Sequence, residues 1–563
     1  MSAETMSGPG KGELVRSIDW RGAFWVASGV PALVLFSIGG IAGTVGIPAF
    51  AIWAVSMMMG FIQSFTYAEI AGMFPNKSGG ASVYGAAAWL KYGKFIAPLS
   101  VWCNWIAWTP VLSLGSVIAA GYILGIMEPA PAAEAIAAEI ARSAAAGIVI
   151  DEAAAMVNLM PLHNWTLFTW DLVIFKMAFN WTFVIGAILM LLAFAIQHRG
   201  ILGTAKVQMV VGLIIVITLF VVGVVPFFNG NFDSANFSPF VPLAVAYAPE
   251  PGSWNIAGWT LILGGMFIAA WSTYAFETAI CYTSEFKNPE TDTFKAIFYS
   301  GLLCLVLFIL VPITFQGYLG LTGMLDGGVV AGTGVADVMA RMVGGDYVIN
   351  VIFVFLMIAS LILIIVTAMA GSSRTLYQGS VDGWLPKFLS HVNHNGAPTG
   401  AMWTDLAVNM VLLSIASVDA TFYYTILAVS NCGYIIFNFL NLNAGWIHRV
   451  DSGHVRRPFK APTIILAIGT ALAFVNAVFM GAGAKVWNPN ALLYGFGAAA
   501  LIIPVFWYRH YIQDKGKFPD RMLEDLGIKD VGHLGERKAG VLPYVTLAAG
   551  IAVVIISNYI FTG

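Results

Sequence analysis

The chain has 563 residues, of which 59% are hydrophobic and only 10% are charged, against roughly 25% charged in a soluble globular protein. With a mean hydropathy of +0.81, this is the composition of a polytopic membrane protein and excludes a soluble globular one. The net charge of −2 carries little meaning here, because position along the chain decides what charges do in a membrane protein.

Residues 1–19 form a polar tail without a short apolar core or a small-residue cleavage site, so a cytoplasmic tail is expected rather than a signal peptide. About thirteen apolar segments of spanning length, roughly 20 residues each, follow at 20–42, 48–74, 95–127, 170–195, 208–227, 259–282, 294–318, 347–376, 401–418, 423–447, 462–480, 490–511 and 542–561. Between the third and fourth lies 128–169, whose run AAEAIAAEIARSAAAG has helical composition and is expected to form a surface helix. The stretch 229–253 is rich in Pro, Asn, Phe and Gly and is expected to cover the outer mouth. Alternating spans from a cytoplasmic N-terminus leave only Arg142, Lys176, Arg341 and Lys485 off the cytoplasmic side, so the positive-inside rule orients the chain in a cell membrane. Cys103, Cys281, Cys304 and Cys432 all lie in apolar segments and form no CxxC pair, so neither a disulfide framework nor a zinc site is implied.

Two carboxylates stand near the ends of long apolar segments: Glu69 in TYAEIAGMFPNKSGGASVY and Glu277 in YAFETAICYTSEFKNP. A carboxylate at membrane depth costs about 2.5–3.5 kcal/mol even on a lenient scale and is a functional candidate by default. Functional backbone is expected where a spanning helix is interrupted, because freed N–H and C=O groups are tolerated only beside a cavity. The first span offers two such places, Ala27-Ser28-Gly29-Val30-Pro31 and Gly39–Gly46. From Gly43 to Glu69 there is too little chain for a half-helix, a turn and a second span, which favours the former. In the third span Trp102, Trp105 and Trp108 recur every three residues, a pattern typical of packing or an interfacial belt, whereas the amide of Asn104 among them needs a partner. Tyr424, Asn431 and Tyr434 are similar, weaker candidates in the tenth span.

The two glutamate stretches, together with GSSRTLYQGSVDGWLPKFLSHVNHNGAPTG at the end of the eighth span, resemble the amino acid–polyamine–organocation (APC) family of secondary transporters. The resemblance covers most of Ser28 to Pro458. It implies an all-α membrane fold of inverted five-helix repeats (5+5), with broken first and sixth helices and about three extra C-terminal helices. The repeats would be 20–227, carrying the external insertion 128–169, and 259–447, with the additional helices in 462–563. It also implies breaks at Ala27–Pro31 and Trp271–Ala275. Backbone at Ser28, Gly29 and Val30 would then hold a solute carboxylate, and the carbonyls of Val26, Trp271 and Tyr274 its amine. Asn104 and Ala275 would border the site, and Trp271 would close over the solute from outside. Glu69, Glu277, Arg374 and Asp382 would serve gating or protonation. The chain departs from the family pattern at Ala27, Pro31 and Ala275.

Coupling stays open at this point. The Lys that many proton-coupled members carry in the fifth span is missing, and Ile215 sits about where it would fall. Hydroxyls of Thr367, Ser372 and Ser373 would suit a sodium site, Glu277 a proton route, and simple exchange needs neither. The expected activity is import of a small amino-containing solute, most readily a neutral amino acid, with no cofactor beyond a coupling ion, no enzymatic chemistry and no nucleic-acid partner. A polyamine or other organic-amine transporter is the nearest alternative. It would want more than one acid near the midplane, and of Asp19, Glu69, Asp171, Glu277 and Asp405 only Glu277 approaches it. An ion channel would show a ring of charge or a carbonyl filter, and the sequence displays neither.

Overall fold

The computed structural model describes residues 14–146, 148–172, 175–525 and 537–562. Among these, twelve helices are long and apolar enough to cross a membrane: Trp20–Val45, Ala49–Gly72, Ile96–Met127, Ile201–Phe227, Ile256–Glu285, Pro289–Met324, Tyr347–Val381, Thr399–Ala416, Thr421–Asp451, Thr463–Trp487, Ala491–Gln513 and Leu542–Phe561. The shorter apolar helix Trp181–Gln197 takes the fourth place in chain order, so the spans are numbered one to thirteen below.

The fourth segment begins later than its hydropathy suggests. Thr166–Asp171 and Lys176–Asn180 form an antiparallel hairpin, and only then does the helix start. The Asn180 side chain caps it by accepting from the Phe183 N–H at 3.0 Å. The aromatic and β-branched residues of TLFTW favour a strand over the first helical turn that apolar content alone implies. In the preceding insertion the alanine-rich run is helical over Ala133–Ala145, and a second helix covers Glu152–Leu159.

The first span is interrupted. Its opening helix, capped by Asp19, stops at Val26, a 3-10 turn covers Val30–Leu33, and α-helix resumes at Val34. Pro31 supplies no N–H and restricts the residue before it, which is why the ladder breaks here. The rival stretch Gly39–Gly46 runs through unbroken helix as far as Val45 and ends on Gly46, which caps that helix with a φ of 77°. Its glycines admit neighbours instead: a Cβ on Gly39 would collide with the Val329 carbonyl, and one on Gly43 would lie 2.7 Å from the Tyr247 ring. The sixth span is interrupted in the same manner. Helix Ile256–Thr273 ends at Tyr274, and 3-10 turns continue over Ala275–Ile280 and Thr283–Glu285. The first half-helix of span one packs on the turn Ala275–Ile280 of span six, and the turn Val30–Leu33 of span one packs on helix Ile256–Thr273 of span six. In the first span 89% of the most apolar window is buried and in the last only 17%, so the interrupted helix is central and the thirteenth is peripheral. That last helix packs on the eleventh.

Candidate functional site

At the first-span break, the Thr367 hydroxyl of span eight donates to the Val26 carbonyl at 2.9 Å. The Gln208 amide of span five in turn donates to the Thr367 oxygen at 2.7 Å and to the Leu363 carbonyl at 3.3 Å. Gly212, one turn along, lies so close to Ser28 that a Cβ there would collide with its hydroxyl. Gln208 and Gly212 are therefore the fifth-span residues behind the break, while Ile215 belongs to the hydrophobic core. Nothing in the sequence marks Gln208, because a glutamine in an apolar helix reads equally well as packing. Gly29 sits against span eight, where a Cβ would meet Thr367 Oγ1 at 2.6 Å and the Leu363 carbonyl at 2.9 Å.

The hydroxyls expected to share a sodium site do not share partners. Thr367 bonds to the break, Ser372 donates to Asp405 Oδ2 of span nine at 2.7 Å, and Ser373 donates over a long 3.4 Å to the Ala370 carbonyl of its own helix. At positions 367, 372 and 373 of one helix, these side chains stand on different faces. The expected cluster is not assembled.

At the sixth-span break, Trp271 is fixed by its indole N–H, which is shared between the Ala107 carbonyl at 3.0 Å and Ser430 Oγ at 2.9 Å. Its ring lies 6.3 Å from that of Phe36, just beyond the first break. The Tyr274 phenol turns outward from the break and donates to Asn476 Oδ1 of span eleven at 3.0 Å. Ala275 and Glu277 are fully buried. Glu277 Oε1 accepts from the Trp108 indole at 3.1 Å and Oε2 lies 3.5 Å from the Ala81 N–H, and among the described residues no cation pairs with it. Asn104 Oδ1 is 3.5 Å from the Thr375 hydroxyl, and its Nδ2 is buried with no partner. The tryptophan stripe of span three is thus more than packing: Trp108 holds Glu277, and Trp105 donates to Asp405 at 2.6 Å. Of the tenth-span candidates, Tyr424 bonds to the Val330 carbonyl at 2.8 Å and Asn431 to the Phe267 carbonyl, while the Tyr434 hydroxyl is buried with no partner.

One end of the bundle is closed by buried charge. Lys77, in the loop after span two, pairs with Asp382 at 2.8 Å, and Asp382 also accepts from Gln378 at 2.9 Å. Arg374 pairs with Glu285 through two bonds, of 2.5 and 3.0 Å. The Ser78 and Ser284 hydroxyls meet at 2.6 Å, and the Gly79 N–H donates to the Cys281 carbonyl at 2.9 Å. The loop reaches that depth through Gly79 and Gly80, whose φ values of 99° and 86° favour glycine. Sequence reading found Arg374 and Asp382 but neither partner. Glu69 has a different task from the one expected. It takes two bonds from Arg449, at 2.9 and 2.6 Å, one from Arg457 at 3.2 Å and one from the Ala461 N–H at 2.9 Å. None of these partners stands at either break, so Glu69 ties span two to span ten and to the start of span eleven.

The opposite end is closed by loops. The Tyr247 N–H donates to the Gly43 carbonyl and Leu243 to the Val45 carbonyl, at 2.6 and 3.1 Å, bringing 229–253 over the first span. The turn Gly327–Val330 rests on Gly39, and Tyr122 donates to the Gly332 carbonyl at 2.7 Å. The breaks therefore lie in a centre sealed at both ends.

A family model described as amino acid permease matches residues 18–503, a stretch that includes both breaks, both glutamates and the Lys77–Asp382 pair. The chain belongs to the amino acid permease family. The chain is also similar to the branched-chain amino acid permease BcaP of Lactococcus lactis subsp. cremoris (strain MG1363), with 24% identity over 309 residues covering 54% of this chain and 61% of the relative. It is 24% identical to the branched-chain amino acid permease BcaP of Bacillus subtilis (strain 168) over 250 residues, 43% of this chain and 51% of that one. The chain thus spans about three fifths and one half of the length of these two curated relatives.

Proposed function

We propose that this permease is a secondary transporter that imports a neutral α-amino acid by alternating access. The observation that carries the proposal is that spans one and six are both interrupted and that each interrupted turn packs on the helical part of the other span. An interrupted helix presents N–H groups at a start and carbonyls at an end. The Ser28 and Val30 N–H groups donate to the Trp25 and Ala27 carbonyls at 3.1 and 3.0 Å, so it is the Gly29 N–H, with the positive dipole end of the helix that restarts beyond it, that suits a carboxylate. The carbonyls of Val26, Trp271 and Tyr274 suit an ammonium. A zwitterion offers both on one carbon.

The surroundings favour a neutral side chain. Phe36, Trp271 and the third-span wall around Ala107 are apolar, and the relatives named above are branched-chain permeases. A polyamine is disfavoured, because the two arginines on Glu69 consume its charge and leave Glu277 as the one acid beside the breaks. Spans one to five and six to ten act as inverted repeats in this reading, a pairing supported by the matching positions of their interruptions. The N-terminus and the buried ion pairs face the cytoplasm, as the distribution of Lys and Arg favours. Opening toward either side then means separating either those pairs or the loop plugs, around a fixed central site.

Competition separates the readings. In proteoliposomes holding the purified permease, unlabelled leucine, isoleucine, valine or alanine should reduce uptake of a labelled neutral amino acid. Isoamylamine and isocaproate, each lacking one of the two charged groups, should not. Competition by the amine alone, or by putrescine, overturns the zwitterion reading.

A further inference from the structure

Span nine carries another buried carboxylate, Asp405, which none of the roles above uses. It is fully enclosed. Oδ1 accepts from the Trp105 indole at 2.6 Å and from the Thr109 hydroxyl at 3.2 Å, and Oδ2 accepts from the Ser372 hydroxyl at 2.7 Å. Asn409, one turn along span nine, donates to Thr109 Oγ1 at 2.7 Å and to the Asp405 carbonyl at 2.9 Å. Of the other elements packed against span nine, the strand Lys176–Asn180 and the turn Lys387–Ser390 carry charge, but Lys176 pairs with Asp171 and Lys387 with Asp514, and among the described residues no charged side chain pairs with Asp405. The carboxylate thus sits at membrane depth with neutral donors and no counter-charge.

We propose that Asp405 is where a co-transported proton binds. The proposal rests on the transporter reading above and deepens it by naming the coupling ion and its site. Neutral donors offset only part of the cost of a buried charge, and a proton removes the rest. The surroundings accept both forms. A proton taken from hydronium in the water on the entry side makes an O–H bond at Oδ2. That O–H donates to Ser372 Oγ, whose own hydrogen turns to a carbonyl one turn back in span eight, as serines in helices do. Oδ1 keeps the Trp105 and Thr109 bonds. Release returns the proton to water on the other side, and one positive charge crosses with each zwitterion. A sodium ion fits less well, because the donors aim hydrogens, not lone pairs, at the carboxylate.

The geometry also links Asp405 to the solute. Trp105 holds Asp405, and Trp108, three residues on in span three, holds Glu277. Ser372 shares span eight with Thr367, which holds the first break. Movement of span eight against spans three and nine at a change of access separates Ser372 from Asp405 and alters the proton's hold.

The test uses the full chain in proteoliposomes at zero membrane potential, with labelled leucine and independent pH and sodium gradients. With one proton per solute, a one-unit pH gradient, acid outside, permits about tenfold accumulation. The wild type should accumulate in this way and ignore sodium. Asp405→Asn should abolish the accumulation yet retain, within about twofold, exchange of leucine at equal pH. Asp405→Glu and Ser372→Ala, which keep a carboxyl group there, should still accumulate but with a displaced pH midpoint, the readout if Asp405→Asn does not fold. Accumulation by Asp405→Asn equal to wild type overturns the proposal, as does loss of proton dependence in Glu277→Gln alone, or a wild type driven by sodium. A wild type that neither exchanges nor accumulates any neutral amino acid overturns the transporter reading itself.

Discussion

Thr367 donates its hydroxyl to the carbonyl of Val26 across 2.9 Å, joining span eight to the end of the first half-helix. The carbonyl is one that the interrupted ladder no longer serves, and Gln208 completes the arrangement by donating to Thr367 at 2.7 Å. The break is held by neutral groups from spans five and eight, and among the described residues no cation pairs with the Val26 carbonyl, Thr367 or Gln208.

Thr367→Val removes the hydroxyl while keeping the shape. It should cost about 1–3 kcal/mol, the penalty for orphaning a buried carbonyl and an amide hydrogen, and should reduce uptake, whereas Thr367→Ser should preserve both. Thermal unfolding in detergent and uptake measured side by side check this. A valine variant as stable and active as wild type would mean the bond does not shape the break.

The Lys77–Asp382 pair is buried on both sides, so removing one partner strands the other. Lys77→Met and Asp382→Asn should each cost about 3–5 kcal/mol, and the double variant much less than their sum. Both should raise labelling, from the side the pair closes, of a cysteine placed near the breaks. Additive losses with unchanged labelling would remove this pair from the gate.

Much of this arrangement was legible in the sequence, and the limits have physical reasons. Pro31 beside Ser28-Gly29 marks a break because the missing N–H is a local property. Glu277 stands out because charge in an apolar segment is rare. Pairings are another matter. Lys77 meets Asp382 across 305 positions and Trp105 meets Asp405 across 300, and a single chain carries no local sign of either. The same limit put Ser372 at the break, when its partner is on span nine. Glu69 was recognisable as important, but its two arginines lie 380 and 388 residues on, so an anchor looked like a gate. The hairpin before span four was hidden by its apolar composition.

Glu69→Gln should therefore behave as a stability variant. Losing the carboxylate leaves Arg449 and Arg457 facing one another at the base of spans ten and eleven, at a cost of about 3 kcal/mol or more. The fraction that folds should bind solute with nearly wild-type affinity. A large change in KM at unchanged stability would instead place Glu69 in the transport path.

Trp271→Phe keeps the ring but removes the bonds to Ala107 and Ser430. It should cost about 0.5–1.5 kcal/mol of stability while lowering uptake several-fold, because the indole N–H fixes the ring beside Phe36. Loss of folding with normal uptake per folded molecule would make Trp271 a packing residue alone.

Counterflow tests the central claim most directly. Proteoliposomes loaded with unlabelled leucine and diluted into trace labelled leucine should transiently concentrate the label, with no ion gradient supplied. Gly29→Ala, whose new Cβ would press on Thr367 and the Leu363 carbonyl, should abolish the overshoot while the folded protein is still recovered. Absence of an overshoot with any neutral amino acid in the wild type, or an overshoot undiminished in Gly29→Ala, would contradict a solute site built on the interrupted first and sixth spans.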